Sequence, residues 1–466
     1  MLAWAAVTTA VKCPVKMNLT GHIDPDQVMT FVYQPFEVPA GVASISALYS
    51  YSQKGQGNAL DIGIFDQRGY EMMDAHNGTS GSRGWSGGFR DNFTISTTWA
   101  TPGYNAGPIV PGTWNIVFGP YSSTTEGIDW QLNIEMRFGS SDEWFSPAYT
   151  TVSLDPVPYF AEEQRWLRGD FHLHTVYSDG QYLPEEQIAN AIDRKLDFMF
   201  FSEHNTDSGI EIYGVYQPEN LLIGRAIEVT TRHGHWNALG LDRGQIIEWR
   251  YHPGDEAGYP AAAEQVHRAG GLVSINHPFT ACDRCDWTLD WDNHDAIEVW
   301  NGPWDATDQL AVEKWQEFLV EGRRYTAIGG SDAHRNPDVT ALPTTVVLSR
   351  GWNQAAIIDG ARKGFAYMVK EPDMTMALTI DGGGITYHMG QTVKADSVAG
   401  KNAKLSLVGF AGNVASWVSD KGYVSNTTVD GDGTLEVAVQ GMKFVRAEVR
   451  DASGNALGLT NPIYFS

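Results

Sequence analysis

Between residues 165 and 370 the chain repeats one local pattern: a short apolar run that ends on histidine or aspartate, then a polar stretch with helical periodicity. "RGDFHLHTVYSDG" (168–180) carries His172, His174 and Asp179, "FMFFSEHN" ends at His204, "LVSINHP" at His277 and "YTAIGGSDAH" at Asp332 and His334. Between these runs, "PEEQIANAIDRKLDF" spaces Ile188, Ala191, Ile192 and Leu196 at helical intervals behind Pro184 and two glutamates. "YPAAAEQVHRAGG" and "DQLAVEKWQEFLVEGRR" read as further helices, the former closed by glycine. Alternating strand and helix predicts a parallel sheet or barrel. The pattern constrains function too, because in parallel α/β barrels the loops after the strands converge on one face.

The flanks have a different texture. From about residue 30 to 140, short alternating runs such as "NALDIGIFDQRG", "GTWNIVFGPY" and "DWQLNIEMRF" are broken by Gly, Pro, Asn and Ser, which predicts a β-sandwich. From about 373 onward the strands "MTMALTIDGGG", "AKLSLVGF" and "TLEVAVQGMKFVRAEVRDASGNAL" predict a second one. The expected organisation is multidomain α/β plus all-β: an N-terminal β-sandwich domain over 1–160, the α/β domain over 161–372 and a C-terminal β-sandwich domain over 373–466. A length of 466 residues suits about three domains.

Lys and Arg number 32 against 56 Asp and Glu, a formal charge of −24. That balance disfavours binding to nucleic acid or to an anionic membrane. No apolar run approaches the roughly 18 to 20 residues of a membrane helix, so the expectation is a soluble protein. The start, "MLAWAAVTTAVK", lacks the basic segment of a signal peptide. Sequons at Asn18, Asn77, Asn92 and Asn426 are compatible with a secreted or periplasmic location. Three cysteines make no disulfide scaffold, and "CDRC" (Cys282, Cys285) reads as a local disulfide or two thiols rather than half a zinc site. "DGGG" at 381–384 reads as a turn, since it lacks the lysine of a phosphate-binding loop.

His172, His174, Asp179, His204, Glu228, His277, Asp332 and His334 all follow predicted strands. Imidazole and carboxylate are the ligands expected for zinc, manganese or iron, and a carboxylate can bridge two ions.

In order, "FHLHTVYSDG", "FFSEHN", "INHP" and "GGSDAH" resemble the motifs of the polymerase-and-histidinol-phosphatase (PHP) family of metallohydrolases. "EVTTRHGHWNALG" and the closing "RAEVRDASGNALGLTNPIYFS" are similar to its carbaryl-hydrolase-like subgroup. The resemblance implies a central distorted (β/α)7 barrel holding two or three divalent ions. It implies that His172 and His174 bind one ion with Glu228 and Asp332, that Glu228 bridges to a second held with His277, and that Asp179, His204 and His334 hold a third. Where the family carries a further histidine after the glutamate, this chain offers His235 or Asn237, and His235 is preferred.

The resulting expectation is a phosphoesterase acting on a small-molecule mono- or diester, in which a metal-bridging hydroxide attacks the ester. Glu228 and Asp332 serve catalysis through the ions they hold, and His235, if not a ligand, joins His233 as a candidate leaving-group acid. Glu203 reads as orienting a ligand or a neighbouring loop. Arg225, Arg232, Arg284 and Arg335 are candidates for holding a phosphate. On the alternative reading, a carboxylic ester or carbamate hydrolase, Trp300 with Trp236, Phe279, Trp287 and Trp304 lines an apolar pocket. A third reading is a binding protein with an inactive metal domain. Oligomeric state is not legible.

Overall fold

The computed structural model describes residues 13–71, 81–139, 143–151, 164–255, 258–281 and 285–466. The first twelve residues, the Asn77 sequon, Cys282 and Arg284 lie outside the described residues. Among the described residues, 13–147 with 206–208 form one compact unit, and 148–205 with 209–466 form another.

In the first unit, β1 (Val15–Ile23), β2 (Val32–Val38), β3 (Val42–Tyr51), β4 (Ala59–Phe65), β5 (Ser82–Gly87), β6 (Asn92–Ser96), β7 (Gly112–Ser122) and β8 (Ile128–Phe138) make two four-stranded sheets, ordered β1-β8-β3-β6 and β2-β7-β4-β5. Side chains alternate across a strand, so in β8 Ile128, Trp130, Leu132, Ile134 and Met136 are buried while the polar residues between them are more exposed. They share one apolar core with Ile62, Ile64, Trp114, Ile116 and Phe118 of the other sheet.

The second unit is mixed α/β and rich in strands. β9 (Arg165–Leu173), β10 (Phe198–His204), β11 (Leu222–Thr231), β12 (Gly234–Leu239), β13 (Leu272–Ile275), β14 (Ala296–Asn301) and β15 (Thr326–Gly330) lie side by side in chain order. β9 to β11 run parallel, as do β13 to β15, whereas β12 is antiparallel to both neighbours. Among the described residues, the connecting helices are α1 (Pro184–Asp193), α2 (Tyr259–Arg268) and α3 (Ala306–Glu321). Among the described residues, a helix does not follow every one of these seven strands. The physical reason is plainest between β11 and β12, where Arg232 and His233 turn the chain straight back into a hairpin and leave no length for a helix.

Local chemistry accounts for the elements present. β10 is buried at all but its last position, as expected of a parallel strand covered on both faces. Pro184 opens α1, and Glu185 and Glu186 lie in its first turn, where the helix dipole favours negative charge. Asp305 caps α3 by accepting from Thr307 N and Asp308 N, and Gly322 closes that helix at φ 88°, a left-handed conformation that glycine adopts without steric cost. Beyond β15 the half-barrel curls back on itself: Asp332 N donates to His172 O at 2.7 Å and His174 N to Ala333 O at 3.1 Å. The end of the last strand thus lies against the end of the first.

The sheet also runs across the boundary read at residue 372. β16 (Thr344–Ser349) pairs with β9, and β17 (Ala366–Val369) pairs with β16, with α4 (Gln354–Arg362) between them. The following strands are β18 (Thr375–Gly382), β19 (Ile385–His388), β20 (Thr392–Val393), β21 (Asn402–Val408), β22 (Val414–Ser419), β23 (Gly422–Thr428), β24 (Gly433–Ala438), β25 (Phe444–Arg450), β26 (Ala456–Thr460) and β27 (Ile463–Phe465). β26 docks on β17 with Tyr367 opposite Thr460, and β25, β22 and β23 continue the same sheet. A separate sheet, β19-β18-β21-β24, supplies Leu378 and Leu405 to a core shared with Trp417, Val346 and Tyr367. Buried Asn461 completes the joint: its Oδ1 accepts from Ala327 N at 2.9 Å and its Nδ2 donates to Ala327 O at 2.8 Å. One side chain thereby meets the backbone of β15 as a neighbouring strand would.

Candidate metal centre

His172 and His174 stand two residues apart at the end of β9, so their side chains share a face while Leu173 between them enters an apolar cluster. His204 closes β10, and Glu228 lies directly opposite it on β11. β12 contributes His235. His277 follows β13, Asp332 and His334 follow β15, and Asp179 sits in the loop after β9.

The curl of the sheet brings these groups together, with Glu228 at their centre. Its Oε2 lies 3.3 Å from His172 Nε2, 3.2 Å from His174 Nε2 and 3.0 Å from His204 Nδ1. Its Oε1 lies 3.2 Å from His277 Nε2 and 3.3 Å from His235 Nδ1. Asp332 Oδ1 is 3.1 Å from both His172 Nε2 and His174 Nε2, and Asp179 Oδ1 is 3.4 Å from His204 Nε2 and 3.2 Å from His334 Nε2. Three overlapping donor sets result: His172, His174, Glu228 and Asp332; His174, Asp179, His204 and His334; His204, Glu228 and His235.

Whether this donor set fits divalent cations can be tested on the buried atoms themselves. His172 Nε2, His174 Nε2, Glu228 Oε2 and Asp332 Oδ1 are buried without a hydrogen-bond partner. Four of the separations among these atoms are 3.1 to 3.3 Å. A tetrahedron with edges of that length has its corners about 2.0 Å from its centre, the length of a zinc–nitrogen or zinc–oxygen bond. Leaving such polar atoms unsatisfied costs about 1–3 kcal/mol each, and a cation would relieve all four.

The electrostatics agree. Burial pushes the Glu228 and Asp332 carboxyls up, but the surrounding histidines outweigh it and hold both well below the usual carboxylate range. Burial lowers His172 and His174, yet Asp332, Glu228 and, for His172, Glu298 outweigh it; His172 stands well above its ordinary value and His174 at about 10. His277 and His334 are also raised, whereas burial wins at His204 and pushes it down to about 4. His277 and Asp332 also hold left-handed backbones, at φ 27° and 50°, a strain of about 1–3 kcal/mol each that such sites carry when the surroundings enforce it.

Several residues expected to contact substrate lie elsewhere. Trp300 is 1% exposed, donates its indole N–H to Gly302 O at 3.0 Å and packs against α3 in an apolar cluster. Trp236 is fully buried and donates to Tyr251 OH at 2.8 Å. The apolar surface of these two rings is consumed by packing, whereas Phe279 and Trp304 are half-buried. Arg225 is likewise buried, its Nε donating to Leu241 O at 2.7 Å, which leaves it holding backbone instead of phosphate. Arg232 lies in the β11–β12 hairpin and Arg335 is exposed beside His334. His233 Nε2 shares a hydrogen bond with His252 Nδ1 at 3.2 Å, outside the three donor sets. Glu203 accepts from Thr175 Oγ1 at 2.6 Å and also from Ser178 and Tyr213, and so braces the loop that carries Asp179. Cys285 is disulfide-bonded and Cys13 is free.

The sequence reading missed Glu298, Asn301, Asn276 and Gly330. Glu298 Oε1 lies 3.0 Å from His172 Nδ1, and Asn276 Nδ2 donates to Glu228 Oε1 at 3.1 Å. The available signal was a lone glutamate inside the apolar run "AIEVW", where a buried charge needs a partner.

No family model and no curated protein matches the chain. Solved structures overlap it in part. A two-domain protein from Bacteroides vulgatus containing a predicted PHP-like metal-dependent phosphoesterase shares 18% identity, over 70% of this chain and 100% of its own, with a TM-score of 0.38. An amidohydrolase from Chromobacterium violaceum with bound sulfate and no metal shares 16%, over 37% of this chain and 89% of its own, with a TM-score of 0.28. Overlap at this level assigns no family, and the functional reading rests on the site itself. Among the described residues, no helix is long and apolar enough to cross a membrane.

Proposed function

We propose that the protein is a metal-dependent hydrolase of small-molecule phosphoesters, with two or three divalent ions held by His172, His174, Asp179, His204, Glu228, His235, His277, Asp332 and His334. The observation that carries the reading is the convergence of buried, unpartnered donor atoms around Glu228. Divalent ions held there supply Lewis acidity toward a phosphoryl oxygen and toward the attacking water.

The residues of the chain do the positioning. Glu228 offers one oxygen to His172, His174 and His204 and the other to His235 and His277, as a carboxylate serving two neighbouring positions must. Asp332 and Asp179 close the remaining sides. His235, with Nδ1 3.3 Å from Glu228 Oε1 and a ring partly open to solvent, is the ligand that the β11–β12 hairpin supplies. Arg335 and Arg232, on the loops after β15 and β11, are the cationic groups proposed to meet the phosphate.

Charge favours an anionic substrate. The donor sets contain three carboxylates, and Glu298 stands beside them, so three dications leave about two net positive charges. A neutral carbamate gains from that field only as charge develops on its carbonyl oxygen, and two ions would leave the site near neutrality. Carbamate cleavage of the carbaryl-hydrolase kind is therefore the second reading.

The test is metal content of purified protein by elemental analysis, with hydrolysis of p-nitrophenyl phosphate, bis-p-nitrophenyl phosphate and 1-naphthyl N-methylcarbamate by wild type and His172→Ala. Two or more ions per chain, with phosphoester turnover lost in the variant, is the expected result. Turnover of the carbamate alone selects the second reading. Less than one ion after repletion and no turnover would overturn both and return the function to the β-sheet regions as binding modules.

A further inference from the structure

Glu298 is 2% exposed, lies on β14 and belongs to none of the three donor sets. Its two oxygens nevertheless reach groups around the cluster. Oε1 stands 3.0 Å from His172 Nδ1, Oε2 accepts the backbone N–H of His277 at 3.1 Å, and Oε2 also accepts Asn301 Nδ2 at 3.0 Å. The same Asn301 nitrogen lies 3.4 Å from Asp332 Oδ2. Asn301 is fixed in turn by its backbone N–H, which donates to Asp308 Oδ1 at 2.9 Å near the start of α3.

Hydrogen-bond bookkeeping restricts what can occupy position 298. The backbone N–H of His277 and the amide N–H of Asn301 are obligatory donors, and both aim at one oxygen. The other oxygen must accept from His172 Nδ1 if His172 Nε2 is to keep its lone pair for the cluster. A carboxylate, acceptor at both oxygens, satisfies all three. A glutamine satisfies one side and sets an N–H against an N–H on the other.

We infer that Glu298 is a positioning residue that holds ligands of two different ions at once, setting the His172 ring through one oxygen and the His277 backbone through the other. This rests on the metal-dependent reading of the site. His277 needs such a hold because its backbone is in the left-handed region at φ 27°, which the Glu298 contact opposes from relaxing. The two positions are therefore coupled through β14, in addition to their shared ligand Glu228. The set formed by Asp179, His204 and His334 has no contact with Glu298 among the described hydrogen bonds, and it provides an internal control.

The experiment compares wild type, E298Q and E298D by cobalt titration followed by absorption, with chelator competition for affinity and thermal melting of the metal-free proteins for fold. Expected for E298Q is a fall of about 10–100-fold in affinity at two positions, the scale typical of outer carboxylates, with the third position unchanged and with partial recovery in E298D. If E298Q does not fold, nitrogen NMR of the imidazoles in zinc-loaded wild type still decides: His172 must carry its proton on Nδ1 and bind through Nε2. Binding through Nδ1, or unchanged affinities in a folded E298Q, overturns the inference while leaving the hydrolase reading intact. Wild type that binds no cobalt at all overturns both, so the two failures are told apart.

Discussion

Gly330 places a sharp demand on the site, and replacing it with alanine tests whether the ligands are held by close packing of β15 on β9. A Cβ built at Gly330 would stand 2.3 Å from His172 Cβ and 2.7 Å from Glu298 Oε1. The first of these neighbours is attached directly to backbone and cannot swing away. Relief to an ordinary contact near 3.4 Å requires about 1.1 Å of separation between β15 and β9. Asp332 is two residues further along the same segment, and its Oδ1 is 3.1 Å from His172 Nε2. A shift of that size is about half a metal–ligand bond of roughly 2.0 Å. Overpacking of this kind costs about 1–3 kcal/mol in stability. Gly330→Ala should therefore remain folded, melt earlier and lose affinity by about 100-fold or more at the position built on His172, His174, Glu228 and Asp332. The assay is competition against a chromophoric chelator, with circular dichroism as the check on fold. An affinity within about a factor of three of wild type would refute the claim that this packing sets the ligand geometry.

Other consequences are open to direct measurement. Loading the metal-free protein with zinc at pH 7 should release protons, because His172 stands well above its ordinary value and His174 at about 10, and each must lose its proton to bind. Calorimetry in two buffers of different ionisation heat measures the number, and release of none would contradict the assigned charge states. In the C-terminal sheet, burial raises Glu448 but Arg446 and Arg450, 3.2 and 3.0 Å away, outweigh it and hold its pKa below the ordinary 4.5. Its contribution to stability is thus complete above pH 4.5 and lost as pH falls through the lowered value. Glu448→Gln removes the charge the two arginines share, but Arg446 keeps Gln316 Oε1 and Arg450 keeps Gly454 O. The cost at neutral pH should therefore fall below the roughly 3–5 kcal/mol of a wholly broken buried pair, and the acid limb of the unfolding profile should flatten; an unchanged limb would exclude the ion pair as its cause. Trp300→Ala should cost about 3–5 kcal/mol of stability, and a raised KM without loss of stability would restore this ring to a substrate pocket.

The parts of the site legible in the sequence were those with a local signature. His172, His174, His204, His277, Asp332 and His334 follow apolar runs short enough to read as strands, and the strand direction alone brings their loops toward one face. Glu298 escaped notice because its partner, His172, lies 126 residues away and nothing near it in the chain marks the pairing. Gly330 looked like one of two glycines before the "SDAH" motif, and its necessity appears only once β9 is laid against it. Trp300 shows how little position in the chain says of a ring: one near a strand end is as well placed for packing on a helix as for meeting a ligand, and Trp300 packs on α3. The hairpin of β11 and β12 broke the expected alternation through a turn of two residues, too short to show in hydrophobic periodicity. The boundary read at 372 followed a genuine change of texture, yet the pairing of Tyr367 with Thr460 depends on long-range register that periodicity does not encode.

Asn461 has a consequence for the birth of the molecule. The backbone of Ala327 that it covers is 134 residues earlier in the chain. At a synthesis rate of about 5–20 residues per second, roughly 7 to 27 seconds pass between the two. During that interval a nascent β15 is without this cover, so its edge waits on the last residues of the chain.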